Sequence, residues 1–373
     1  MRKIYKIASI ALIFILIAVF LFHDTSYSSD ISCLRIPISE YANGRISQVF
    51  NKTSANPVEK AGWDELEFIS GTEGAGYFSF TQEVKYKGGT YFAKWPVKKY
   101  ISAELVEVEQ YYDDRFIVPE ARILRYLKTK GVQGIPSVEH LLEMEDGTKV
   151  ILFKKFDKGD TLDEKIDKLS QSEAIDIMLK VSGIVKSLLD NGVYHWDIKP
   201  NNVWITDKGK IILFDFGLSF MTKEEFIDRK LYGCATPPYN SLNRIKNTGI
   251  YSEDTTFSPS DEIYSLGLNL AEALGLDLQI TVPFFNIEYN DSTEQCCAKL
   301  IKDIIYRTRR IPRKFRNVLK NALSSRDSEG NIIYGKSSYE NIDAFIKDLE
   351  KLALQKKPGF NAIQYCKQLF LSL

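Results

Sequence analysis

The period of the apolar positions changes several times along the chain, and each change marks an element. Between Ser172 and Leu189, the residues Ile175, Ile177, Met178, Val181, Ile184, Val185 and Leu188 recur at helical spacing. An amphipathic helix is predicted there, capped at Ser172 with Glu173 in its first turn and stopped by Asn191-Gly192. Ile123, Leu124 and Leu127 form a shorter helical stripe within 119–127. Two stretches read instead as strand pairs, 135–153 around an Asp146-Gly147 turn and 203–213 around Asp207-Lys208-Gly209. Helical spacing returns in 311–323, and again in 338–352 through Ile342, Phe345, Ile346, Leu349 and Leu352.

The N-terminus follows another pattern. A basic stub, Met1 to Lys6, precedes an unbroken apolar run from Ile7 to Phe22 with no polar face. The run is short for a full span of ~20 residues yet long for a signal-peptide core. Residues 1–22 are read as a transmembrane signal-anchor or a signal peptide, and 23–64 as a stalk or packed extension. The basic flank favours the cytosolic side, which puts the remainder across the membrane, in the secretory pathway, or outside if the segment is cleaved. The sequons Asn51-Lys52-Thr53 and Asn290-Asp291-Ser292 suit that placement.

Composition narrows the function classes. The chain has 373 residues with 49 basic and 49 acidic side chains, so no global field points to nucleic acid. Its five cysteines show no metal-ligand spacing and leave the compartment open.

The chemistry concentrates in Tyr194-His195-Trp196-Asp197-Ile198-Lys199-Pro200-Asn201-Asn202 and in Phe214-Asp215-Phe216-Gly217. Phosphoryl transfer needs a carboxylate to hold the attacking hydroxyl, a cation on the moving phosphate and oxygen ligands for magnesium. Asp197, Lys199, Asn202 and Asp215 supply that set, and the 203–213 hairpin would bring Asn202 beside Asp215.

These residues resemble the catalytic loop and the metal-binding Asp-Phe-Gly of eukaryotic-type protein kinases, a resemblance that covers about 65–352. It implies an α+β, bilobal kinase-like fold, with a small β-rich lobe and a larger helical one over 65–353; the tail over 354–373 reads separately as one more helix. It also implies ATP and Mg2+ as cofactors and a protein Ser/Thr hydroxyl as substrate. Lysine two residues after Asp197 is similar to the serine/threonine branch rather than the tyrosine branch.

By the same resemblance, Asp197 orients the hydroxyl, Lys199 neutralises the phosphoryl group, and Asn202 and Asp215 bind magnesium. The glycine loop is represented by Gly74, Gly76 and Phe78, with Ser79 at the third glycine and Thr81 over the adenine; a register on Gly71 and Gly76 fits the spacing almost as well. Tyr91-Phe92-Ala93-Lys94 looks like the strand that carries the phosphate-binding lysine. Its helix partner is assigned to Glu120, with Asp113 the rival. Residues 154–156 stand at the adenine hinge.

Thr236 matches the threonine that bonds the catalytic aspartate and lysine. His195 has a structural place, and Asp261 anchors the helix that supports the catalytic loop.

Two departures stand out. Trp196 replaces the arginine that receives an activation-segment phosphate, and Ser241-Leu242-Asn243 replaces Ala-Pro-Glu. No arginine follows Arg326, so both charges of the family's closing ion pair are absent together. Two other readings remain at this level: a kinase of glycans or small hydroxyl compounds, and a non-catalytic nucleotide-binding scaffold.

Overall fold

The lysine and glycine at Lys87-Gly88 both take positive φ, 47° and 79°, which is the turn that matches the twist of two antiparallel strands. They join two long strands and start the sheet on which the smaller lobe is built. The structure, a computed structural model, describes residues 58–75, 79–96, 98–100, 110–112, 115–229, 231, 236, 238–244, 257–276, 302, 306 and 311–354. The apolar run 7–22, both sequons, Asp113, Gly76, Phe78, all five cysteines and the tail 355–373 lie outside them. No helix among the described residues is long and apolar enough to cross a membrane.

The first strands are β1 (Glu59–Ala61), β2 (Glu67–Phe68), β3 (Gly74–Ala75), β4 (Ser79–Tyr86) and β5 (Gly89–Pro96). A short pair, β6 (Lys98–Tyr100) and β7 (Gln110–Tyr112), precedes helix α1 (Ile117–Thr129). Strands β8 (Val138–Met144) and β9 (Lys149–Lys154) form the hairpin expected around Asp146-Gly147. The sheet runs β1-β8-β9-β5-β4-β2, with β3 also on β4. β1 is parallel to β8, so part of the 23–64 stretch belongs to this sheet.

One sheet face carries Ala61, Val84, Tyr86, Ala93, Leu142, Met144, Val150 and Leu152, covered by Trp63 and Leu66 from the chain between β1 and β2. The other face, with Leu141, Ile151 and Phe153, packs on Ile123, Leu124 and Leu127 of α1. Burial of these side chains at ~25 cal/mol per Å2 holds α1 against the sheet. Glu120 lies on the buried side of that helix.

The larger lobe begins at β10 (Gly159–Thr161) and the one-turn α2 (Leu162–Lys165), then α3 (Gln171–Asp190). The cap of α3 is Ser170, not Ser172: its hydroxyl accepts from Glu173 N while the Glu173 carboxylate accepts from Ser170 N. Glu173 needs a partner three residues back, and this fixes the start two residues earlier than the apolar stripe suggests.

β11 (Val203–Thr206) and β12 (Ile211–Leu213) pair antiparallel as expected, with Val203 opposite Leu213. A short helix α4 (Lys223–Asp228) follows, then α5 (Pro259–Ala273), α6 (Arg313–Leu323) and α7 (Ile342–Leu354). Strands β13 (Ser324–Arg326) and β14 (Ile332–Tyr334) close a hairpin after α6. The last helix among the described residues starts at Ile342 rather than Ser338, with Asn341 Oδ1 accepting from Ala344 N. Gly267 sits where α5 meets α6; a Cβ there would lie 2.6 Å from the Ala322 Cβ, so the close approach requires glycine. α5, buried along almost its whole length, forms the floor beneath the catalytic loop.

Candidate active site

The β11–β12 hairpin does what its sequence suggests. Val203 and Leu213 face each other across it, and Phe214 N donates to Asn202 O at 3.0 Å, so the two motifs meet. Asp197 lies at the centre. Its Oδ1 accepts from the Thr236 hydroxyl at 2.7 Å, and its Oδ2 accepts from Lys199 Nζ at 2.7 Å and from Asn202 Nδ2 at 3.0 Å. Lys199 Nζ also donates to Thr236 Oγ1 at 2.9 Å. The Asn202 amide further donates to Asp197 O at 2.8 Å, which turns its nitrogen inward and its carbonyl oxygen the other way. The carboxylate is 6% exposed, so its aim is set by these bonds.

Lys94, on β5, reaches two carboxylates: Glu120 Oε2 at 2.6 Å and Asp215 Oδ1 at 2.6 Å. Desolvation opposes the lysine charge, but the fields of Asp215 and Glu120 outweigh it and raise the pKa. Burial opposes ionisation of Asp215 too, yet Lys94 prevails and pulls that carboxyl down to about 2. Asp215 is in left-handed backbone, φ 65°, and its side chain is 41% exposed toward the cleft. Glu120 Oε1 accepts from Phe216 N at 3.0 Å, so one helix glutamate fixes both the lysine and the start of the segment after Asp215.

His195 is structural. It is 1% exposed, burial lowers its pKa, and its ring lies 4.7 Å from that of Phe216. Nδ1 accepts from Asp197 N at 3.3 Å, which puts the proton on Nε2, 3.2 Å from Phe214 O.

Of the glycine-loop residues, Gly74 pairs with Thr81, and a Cβ on it would meet Thr81 Oγ1 at 2.5 Å. Ser79 opens β4 opposite Pro96, and Thr81 faces Lys94 across the β4–β5 ladder.

Several contacts were not legible. Glu262, rather than Asp261, supports the catalytic loop: its Oε1 accepts from Trp196 N at 3.0 Å. Glu-Ile-Tyr-Ser-Leu-Gly at 262–267 has the spacing of the family's Asp-x-Trp-Ser-x-Gly, so the register one residue on was the signal. Asp261 instead accepts from Ser241 Oγ and from Asn243 Nδ2, the latter at 2.9 Å, which anchors the Ser-Leu-Asn stretch. That end of the segment does have a buried ion pair, Arg244 with Glu262 at 3.0 Å, in place of the absent one.

Trp196 is buried among aromatic rings, with Phe220 at 5.1 Å, Phe226 at 5.5 Å and Phe257 at 5.5 Å. Arg229 is also buried. Its guanidinium donates to the carbonyls of Arg115, Gly217 and Ser219 and pins the chain that follows Asp215.

The site therefore combines a carboxylate held by three donors, a paired lysine and an ionised aspartate at the cleft. The protein kinase domain family matches residues 74–365. The chain belongs to that family. The kinase domain is similar to a probable serine/threonine-protein kinase of Dictyostelium discoideum, 29% identical over 190 residues, covering 48% of this chain and 13% of that one. It also resembles CBL-interacting serine/threonine-protein kinase 21 of Arabidopsis thaliana, 27% identical over 158 residues, 42% of this chain and 36% of the relative. CBL-interacting protein kinase 17 of Oryza sativa subsp. japonica is 33% identical over 133 residues, 34% and 29% of the two chains. The aligned stretches thus span little more than a third of these kinases at most.

Proposed function

We propose that this chain is an ATP- and magnesium-dependent protein kinase that transfers the γ-phosphate to serine or threonine hydroxyls. The observation that carries the reading is the bonding of Asp197, whose two oxygens are held by Thr236, Lys199 and Asn202. A carboxylate so fixed orients a substrate hydroxyl and takes its proton as the oxygen attacks phosphorus. The new P–O bond forms as the bond to the ADP leaving oxygen breaks. Lys199, adjacent to that carboxylate, offsets charge on the group in transfer. Lys94, fixed by Glu120, would hold the α- and β-phosphates, with Gly74 and Ser79 flanking the glycine-rich stretch that would bind them.

The donor set suits magnesium: the Asp215 carboxylate, ionised and facing the cleft, and the outward carbonyl oxygen of Asn202 are hard oxygen ligands. Magnesium, when bound, draws charge from the phosphate oxygens. Lysine at 199 supports the serine/threonine assignment within this reading.

The run from Ile7 to Phe22 supports a second part of the proposal, a membrane anchor with the kinase domain on the non-cytosolic side. Protection of the domain from protease in sealed vesicles is the expected result; digestion from the cytosolic side would contradict it.

The substrate class is tested by offering Mg-ATP and the full chain to serine/threonine peptides, tyrosine peptides and free glycans in parallel. Phosphate on the first set supports the reading. Phosphate confined to tyrosine or glycan overturns it.

A further inference from the structure

Trp196 occupies a conformation it would not choose. Its φ is 68°, in the left-handed region, and it directly precedes Asp197, so whatever holds its backbone also aims the carboxylate. Three residues of α5, Glu262, Ser265 and Asn269, lie along one helical stripe and surround this point. Glu262 accepts from Trp196 N, and Asn269 Nδ2 donates to Ile198 O at 3.2 Å, so the backbone is bonded on both sides of Asp197.

Arg244 completes the enclosure from the other direction. It comes from the 238–244 segment, directly after the Thr236 that bonds Asp197. Its guanidinium lies 4.1 Å from the centre of the Trp196 ring. Nη1 lies within bonding reach of Trp196 O at 3.4 Å and Ser265 Oγ at 3.1 Å, and Nη2 is 3.0 Å from Glu262 Oε1. Arg244 and Glu262 are both fully buried.

The cluster is poorly satisfied for a purely structural device. Trp196 Nε1, Arg244 Nε and Glu262 Oε2 are buried without a hydrogen-bond partner among the described residues. A buried ion pair with orphaned atoms is poor value for stability, since apolar residues of similar volume fill such space as well or better. Its geometric effect is specific: a planar cation stacked on the indole and reaching its carbonyl locks both ring and backbone of the residue before Asp197.

We propose that Arg244 is a positioning residue for phosphoryl transfer, holding Trp196 in its left-handed conformation and so fixing the aim of Asp197. The inference rests on the kinase reading above for its effect on rate, though not for its effect on the loop. Because both charges of the clamp belong to the chain and are buried, the loop is held without any added phosphate.

The test uses the full chain with two variants. Arg244→Met combined with Glu262→Gln removes both charges together and keeps an acceptor for Trp196 N; Arg244→Lys keeps the charge but loses the planar fork. Amide hydrogen exchange over 195–199 and steady-state kinetics with Mg-ATP are read on each. The expected result is faster exchange over 195–199 in the double variant, with exchange over 91–96 unchanged. kcat should fall about ten- to a hundredfold while KM for ATP stays within about twofold, the signature of a displaced reacting group. Arg244→Lys should fall between the two.

Native exchange over 195–199 in both variants overturns the clamp. Faster exchange with native kcat overturns its role in the reaction. A native chain that transfers no phosphate would fail the kinase reading alone, and the exchange arm would still decide the clamp.

Discussion

Replacing Lys94 with methionine separates what the ion pair does for the fold from what it does for the reaction. Lys94 is 6% exposed and Glu120 1% exposed, and they meet at 2.6 Å. Removing one partner of such a pair costs about 3–5 kcal/mol because the other charge is left buried. Phe216 N still donates to Glu120 Oε1, and the carboxyl can take up a proton, so the lower end, about 3 kcal/mol, is expected.

The pH dependence follows from the sign. Burial raises the Glu120 pKa above its ordinary 4.5, and Lys94 is one of the groups opposing that rise. Without Lys94 the folded state binds this proton more tightly than the unfolded state does. Stability then falls as pH rises above the ordinary carboxyl range, so the deficit of Lys94→Met, measured at about pH 5 and about pH 8, is larger at the higher pH. Adding Glu120→Gln removes the stranded charge and should recover about 2 kcal/mol, while phosphoryl transfer stays reduced by about a hundredfold or more in both variants. Urea unfolding at the two pH values is the assay. Equal stability of Lys94→Met and the double variant at both pH values would refute the argument that a buried, unpaired Glu120 carries the cost.

Three further outcomes are expected. Trp196→Ala empties a site ringed by Phe220, Phe226 and Phe257 and should cost about 3–5 kcal/mol in thermal or urea unfolding; a loss under about 1 kcal/mol would contradict its packing. Gly267→Ala gains about 1 kcal/mol of helix propensity but drives a methyl to 2.6 Å from Ala322 Cβ, so it should destabilise by about 1–2 kcal/mol net, and a raised Tm would show the helices are not so close. The Asp215 carboxyl, lowered from 3.8 to about 2, would contribute ~2.4 kcal/mol if fully shielded; at 41% exposure the figure is nearer ~1 kcal/mol. That contribution is complete above pH 3.8 and is lost as pH falls through about 2, so Asp215→Asn should flatten the acid limb of the stability curve.

The sequence reveals most where a rule links residue type to local geometry. The hairpins at Asp146-Gly147 and around Gly209 were legible because turn residues interrupt apolar strands, and the second brings Asn202 to Asp215. Glu120 was legible through the apolar stripe around it, even with the spacing from Lys94 lengthened by the residues between them.

What escaped depends on distant partners. Asp261 and Glu262 are adjacent acids, and only the loop packed above them decides which one receives Trp196 N. Arg244 follows a stretch that reads as a loss of charge, and its ion pair forms with a helix beginning fifteen residues later. The aromatic setting of Trp196 is likewise assembled from Phe220, Phe226 and Phe257, which no period connects. Ser170 against Ser172 is a smaller case: the cap is chosen by reciprocity with Glu173 rather than by the first apolar residue.

The central claim is that Asp197, held by Thr236, Lys199 and Asn202, is the working carboxylate of a phosphoryl-transfer site. The most direct measurement is transfer of labelled γ-phosphate from ATP by the full chain, with magnesium and with a chelator, beside Asp197→Ala. The account predicts magnesium-dependent incorporation by the native chain and a loss of about a thousandfold in the variant, with nucleotide binding retained. Equal incorporation by the two proteins would contradict it.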